Sequence, residues 1–187
     1  VYKRQGLYHG EGTLFRGNGS KYISGIWVFG KPHGPVQFYF SDSGLLQYEG
    51  GLKKTDDGSF VFQGQGTLYN QTGQSVYQGL WEDGTRSGIG TAWLEDGSIY
   101  SGNWVDDYPN GKGTYLFPDG TEYEGGFIRG KKHGQGTFKE ADGFVSYDGE
   151  WKDGKRFGKG RVNKRDSSSY DGDWLDGKPH GNGMFTY

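Results

Sequence analysis

The 187-residue chain contains no cysteine, one methionine and five prolines, and its basic and acidic residues nearly cancel, 21 against 23. The absence of cysteine excludes disulfides and thiolate metal sites. A net charge of −2 is too small to argue for nucleic acid or for a strongly acidic partner. No apolar run approaches the roughly 18 residues needed to span a bilayer as a helix. Aliphatics are scarce as well: all hydrophobic residues make up 31% of the chain and aromatic ones alone 17%, so any core is built from rings. Without an initial methionine or a charged-then-apolar leader, the chain reads as a soluble, intracellular piece of a longer protein. VYKRQ at 1–5 resembles a read-through sequencing adapter and is set aside, which leaves 6–187 as a single repeat domain.

What is abundant is glycine, with 38 residues, and it recurs in a frame. Tyr-x-Gly-x-aromatic, or a close variant, appears as YEGGL at 48–52, YQGLW at 77–81, YSGNW at 100–104, YEGGF at 123–127, YDGEW at 147–151 and YDGDW at 170–174. ISGIW at 23–27 fits the same frame with Ile23 in place of tyrosine. Gly-x-Gly follows nine residues later as GIG at 88, GKG at 111, GQG at 134, GKG at 158 and GNG at 181. GQG at 64 comes five residues late, GPV at 34 loses its second glycine, and GEG at 10 belongs to a half repeat. The pattern predicts seven hairpins and one half.

Asp-Gly at 96–97, 119–120 and 142–143 supplies the positive φ that tight connections need. Strand alternation puts Tyr147, Gly149 and Trp151 on one face, with Asp148 and Glu150 on the other. By the same count Gly134, Gly136 and Phe138 share a face. No window has helical periodicity. The expected fold is all-β, a single elongated and twisted antiparallel meander whose rings lie over neighbouring glycines.

Y-x-G-x-W, then G-K-x-H-G-x-G, then F-x-D-G-x-x-Y resembles the MORN repeat over residues 9–187, most regularly in GKGTYLFPDGTEYEGGF at 111–127. Departures are Ile23, Pro35-Val36, the insertion at 53–63 and DSSSY at 166–170. The resemblance implies a rod-like β-meander with a groove, serving as a non-catalytic binding scaffold. Such arrays occur in junction-forming membrane proteins, ciliary radial-spoke heads and parasite cytoskeletal scaffolds. They also occur as accessory parts of phosphoinositide kinases and a SET-domain methyltransferase, so the repeat alone does not fix function.

His9, His33, His133 and His180 each precede the first glycine of the Gly-x-Gly element or its variant. With two strands per repeat they are expected about 10 Å apart, too far to share a zinc ion, so neither metal nor cofactor is expected. Asp148, Glu150, Asp171 and Asp173 recur on the predicted solvent face, and no catalytic residue is assigned. The candidates for a groove that receives a partner's helix or extended segment are Tyr100, Trp104, Tyr123, Phe127, Tyr147, Trp151, Tyr170 and Trp174.

A second candidate is electrostatic. Residues 129–165 hold eleven Lys or Arg against five Asp or Glu, whereas the remainder holds ten against eighteen. Arg129, Lys131, Lys132, Lys152, Lys155 and Arg156 are expected to cluster on one edge that could bind anionic phospholipid. The sequence therefore offers a protein-binding scaffold first and a peripheral membrane module second. A glycan- or choline-binding aromatic array comes third. Homodimers could form by end-to-end strand pairing. The expected location is cytoplasmic, peripheral to membrane, cytoskeleton or cilium.

Overall fold

A computed structural model describes residues 2–4 and 6–187, with side chains from Gly6 onward. The adapter-like segment thus lies outside the described residues apart from the backbone of Tyr2–Arg4. Contacts divide the chain into two compact units, 1–92 and 93–187.

The first unit comprises β1 (Tyr2–Arg4), β2 (Leu7–Phe15), β3 (Lys21–Val28), β4 (Lys31–Tyr39), β5 (Leu46–Lys54), β6 (Phe60–Tyr69), β7 (Ser75–Glu82) and most of β8 (Thr85–Trp93). The second comprises β9 (Ile99–Val105), β10 (Tyr108–Leu116), β11 (Glu122–Ile128), β12 (Lys131–Lys139), β13 (Val145–Lys152), β14 (Lys155–Asn163), β15 (Ser169–Leu175) and β16 (Lys178–Thr186). Within each unit, strands consecutive in sequence pair antiparallel. No helix occurs among the described residues, so the all-β expectation holds.

Two kinds of turn alternate. One is a two-residue connection in which both residues have positive φ, as at Asp83 (47°) and Gly84 (86°), Asp153 (51°) and Gly154 (85°), or Asp176 (50°) and Gly177 (81°). This is the hairpin geometry whose twist matches that of the strands. Its second N–H is not spent within the hairpin. It bonds the preceding hairpin, as Gly84 N to Phe62 O at 2.9 Å, Gly154 N to Lys132 O at 2.9 Å and Gly177 N to Arg156 O at 3.0 Å. These tips are thereby stitched to the repeat before them.

The other turn contains the Asp-Gly pairs read from the sequence. Leu94 N bonds Ser98 O at 2.9 Å, Gly97 N bonds Leu94 O at 3.0 Å, and the Asp96 carboxylate accepts from Ser98 N at 2.9 Å. DSSSY closes in the same way: Ser167 takes the positive φ (70°) usually left to glycine, and Asp166 accepts from Ser168 N at 2.9 Å.

The glycines divide by role. Gly50–Gly66, Gly79–Gly90, Gly102–Gly113, Gly125–Gly136, Gly149–Gly160 and Gly172–Gly183 face each other across strand pairs. A Cβ on either member of such a pair would run into the ring or hydroxyl of the tyrosine at the head of the motif. These are berths for rings, as the alternation suggested. The first glycine of Gly-x-Gly is different. Gly34, Gly64, Gly88, Gly111, Gly134, Gly158 and Gly181 all have positive φ, and most stand where the register slips. They shape a bulge, so Gly134 does not simply continue the face of Gly136.

The irregular repeat explains itself. Ile23 is too short to reach across the berth that tyrosine covers elsewhere, and Val36 fills the space: a Cβ on Gly25 would lie 2.7 Å from its Cγ1. Ile23, Trp27 and Val36 form a fully buried cluster against Leu14, Phe38 and Phe60. The 53–63 insertion lengthens a hairpin and brings two rings to this core, Phe60 against Trp27 at 6.0 Å and Phe62 stacked on Tyr48 at 3.8 Å.

Candidate functional site

The ring face of the second unit is filled by its own side chains. Tyr100, Trp104, Tyr123, Phe127, Tyr147, Trp151, Tyr170 and Trp174 are between 0 and 7% exposed. They meet edge to face in a continuous ladder, Tyr100–Phe127 at 5.0 Å, Phe127–Tyr123 at 5.1 Å, Tyr123–Trp151 at 5.2 Å, Trp151–Tyr147 at 5.1 Å and Tyr147–Trp174 at 5.5 Å. Each tyrosine leans over the glycine two residues ahead and donates its hydroxyl to the carbonyl three residues ahead. Tyr100 reaches Asn103 O at 2.9 Å, Tyr123 Gly126 O at 3.0 Å and Tyr147 Glu150 O at 2.9 Å.

Tryptophan adds the cross-strand bond, Trp151 Nε1 to Gly136 O at 2.9 Å and Trp174 Nε1 to Gly160 O at 2.8 Å. Burial pushes the phenols of Tyr100, Tyr123 and Tyr147 up to about 12. All eight groove candidates therefore stand in the core, with the four tyrosine hydroxyls and the indoles of Trp151 and Trp174 hydrogen-bonded. A partner reaching this face would meet only their rims. Sequence alternation could assign the face, but not that Tyr-x-Gly lets a ring fold onto its own strand.

The accessible concavity lies on the opposite face. Cross-strand neighbours Thr114, Glu124, Thr137 and Asp148 line an open cleft of about 680 Å³ with Lys112 and Gln135, over a floor of Gly113, Gly125, Gly126 and Gly136. The floor is bare because positions 113, 125 and 136 point to the ring face and Gly126 carries no side chain. Lys139 reaches into this row, 2.8 Å from both Glu122 and Glu124, and holds the Glu124 carboxyl below its ordinary range.

The first unit repeats the arrangement in a cleft of about 610 Å³ lined by Glu11, Thr13, Ser24, Gln37 and Glu49 over Gly12 and Gly25. Both clefts lean acidic and hydroxyl-rich. Periodicity carried their signal, since Thr follows Gly-x-Gly in many of the repeats, but the residues read as a solvated face.

The basic candidates separate. Arg129, Lys131 and Lys152 are exposed at the two-residue turns or beside them. Lys155 is 3.2 Å from Asp176. Lys132 and Arg156 turn inward: the Arg156 guanidinium lies 4.8 Å from the Tyr147 ring and 5.2 Å from that of Trp174. Asp106, Asp107, Asp153 and Asp176 occupy the same row of turns and counter the charge there. The six do not form one unopposed basic edge.

His9, His33, His133 and His180 sit on β2, β4, β12 and β16, and no group of three or more potential metal-ligating residues converges among the described residues.

The family model for the MORN repeat matches residues 3–21, 24–44, 77–99, 100–122, 123–144, 147–163 and 170–187. The unmatched stretch between 44 and 77 holds the insertion whose phenylalanines join the first unit's core. No curated protein matches the chain.

Proposed function

The chain belongs to the MORN-repeat family, and on that premise we propose that it is a non-catalytic scaffold taking a segment of a partner protein along the glycine-floored polar cleft. Repeats of this family are generally binding modules, and the observation that carries the choice of surface is the cleft itself. It is open at about 680 Å³ in the second unit and about 610 Å³ in the first, whereas the aromatic face is occupied by its own rings. Threonine hydroxyls and carboxylates over bare backbone suit a polar segment carrying lysine or arginine, held by hydrogen bonds along its length. The anionic-lipid alternative loses ground because Lys132 and Arg156 are turned onto rings and Lys155 is paired.

The test is selection of binding peptides from a displayed library against the whole chain. Thr114→Trp with Thr137→Trp, which fill the cleft from its rim, should abolish capture while circular dichroism stays unchanged. Reversing Arg129, Lys131 and Lys152 to glutamate should leave capture intact. Binding that survives cleft filling and fails on charge reversal would move the interface to the turns.

A further inference from the structure

The turn at 164–168 departs from the others of its kind. Six five-residue turns close by the same two backbone bonds, and the fourth residue of each is a glycine with positive φ: Gly19, Gly58, Gly73, Gly97, Gly120 and Gly143. At 164–168 the bonds are kept, Lys164 N to Ser168 O at 2.8 Å and Ser167 N to Lys164 O at 3.1 Å, but the fourth residue is Ser167 at φ 70°. A left-handed backbone costs serine more than glycine, so this turn carries strain that its geometry does not require.

The three serines in a row differ in what they touch. Ser168 donates its hydroxyl to Asp166 at 2.6 Å, and Ser169 is buried. Ser167 is exposed, and its hydroxyl has no hydrogen bond among the described residues. Two cations stand just before it. The chain has three Lys-Arg pairs, at 3–4, 155–156 and 164–165, and only the last has serine two residues on. Lys164 is exposed and has no ion pair among the described residues. Arg165 lies over the Phe144 ring at 5.1 Å and reaches Asp142 in the neighbouring turn at 2.8 Å. Both ends of that pair are more than half exposed, 62% and 56%, which leaves it weak and open to exchange.

We propose that Ser167 is a phosphorylation site for a serine kinase that reads basic residues two and three positions before the acceptor and uses a nucleoside triphosphate as donor. Carboxylates of the kinase would hold Lys164 and Arg165. The Ser167 Oγ attacks the γ-phosphorus. The O–P bond forms as the bond from that phosphorus to the bridging oxygen breaks, the bonding pair leaves with the diphosphate, and the hydroxyl proton passes to the kinase's base. The product places a nearly dianionic group two residues from Arg165 and three from Lys164. It outcompetes the single carboxylate of Asp142 for the guanidinium, and the two neighbouring turns are unclipped.

The experiment treats the whole folded chain with the catalytic subunit of cAMP-dependent protein kinase and magnesium ATP, and maps phosphate by peptide mass spectrometry. Phosphate should appear on Ser167, and Ser167→Gly, which restores the residue usual in this turn, should abolish it. Lys164→Gln breaks no ion pair and should slow incorporation on the order of tenfold. In the phosphorylated chain the Asp142 carboxyl, followed by carbon NMR, should titrate above the value of about 2 at which Arg165 and the Phe144 N–H hold it. No phosphate on the folded chain, phosphate confined to another residue, or incorporation only into a peptide spanning 160–171 overturns the site. An unchanged rate with Lys164→Gln overturns the basic recognition. Phosphorylated Ser167 with the Asp142 titration unmoved overturns the exchange of the ion pair.

Discussion

Replacing glycine by alanine usually stabilises a protein by about 0.4–1 kcal/mol where the backbone tolerates it, because the unfolded chain loses freedom. At Gly136 the sign should reverse. A Cβ there would stand 2.6 Å from Cε2 and Cζ of Tyr123 and nearer still to its hydroxyl. That ring is 0% exposed and is braced by Phe127 at 5.1 Å and Trp151 at 5.2 Å, so it cannot slide aside within the ladder. Expelling it would forfeit about 4–6 kcal/mol as an upper bound, from about 150–250 Å² at about 25 cal/mol per Å². Partial relaxation instead costs about 1–3 kcal/mol of overpacking and about 1 kcal/mol from the strained hydrogen bond to Gly126. Gly136→Ala should therefore destabilise by about 2–4 kcal/mol, read by urea unfolding with tryptophan fluorescence. In a Tyr123→Ala background most of that cost should vanish. Gly134→Ala, at φ 70° with nothing within 4 Å of its Cβ, should cost only the left-handed penalty of about 1–2 kcal/mol. An equal or smaller loss at Gly136 than at Gly134, or one unchanged without the Tyr123 ring, would refute the berth.

Other consequences follow from the same contacts. Trp151→Phe keeps a ring but leaves Gly136 O without its donor, and should cost about 1–2 kcal/mol in urea unfolding. The phenols of Tyr100, Tyr123 and Tyr147 are raised to about 12, so above pH 10 the unfolded chain sheds protons that the folded chain retains. Stability should then fall from pH 10 toward 12, with phenolate absorbance appearing together with unfolding rather than before it. At the acid end Arg165 and the Phe144 N–H hold Asp142 down at about 2. Its contribution is complete above the ordinary carboxylate range and fades as pH drops toward 2, and Arg165→Gln should flatten that part of an acid titration of the urea midpoint.

The hairpin period, the Asp-Gly turns and the all-β meander were legible because each rests on a local rule: alternation, positive φ, repeat spacing. The berth role of the second glycine was legible too, since a strand has no other use for so many. What could not be read was direction at the bulges. Counting by twos carries Gly134 onto the face of Gly136, whereas its φ of 70° and the slip in register break the count. The same limit hid how completely the rings close: Tyr123 bonds its own strand at Gly126 O, a contact that alternation does not imply. Lys132 and Arg156 read as edge charges because loops are usually solvated, yet each follows the tip by a residue or two and packs over an aromatic neighbour. Val36 replacing glycine opposite Gly25 was visible as a departure, but its reason needed the short Ile23 beside it.

The central claim is that the aromatic face is closed and the polar cleft is the free surface, and iodide quenching of tryptophan tests it directly. Trp93 is 37% exposed, while Trp27, Trp81, Trp104, Trp151 and Trp174 are between 1 and 7% exposed. In the Trp93→Phe chain the remaining indoles should resist iodide almost completely until urea unfolds the protein. Quenching of the folded Trp93→Phe chain close to that of the unfolded chain would mean that the rings line an open groove, and the account would be wrong.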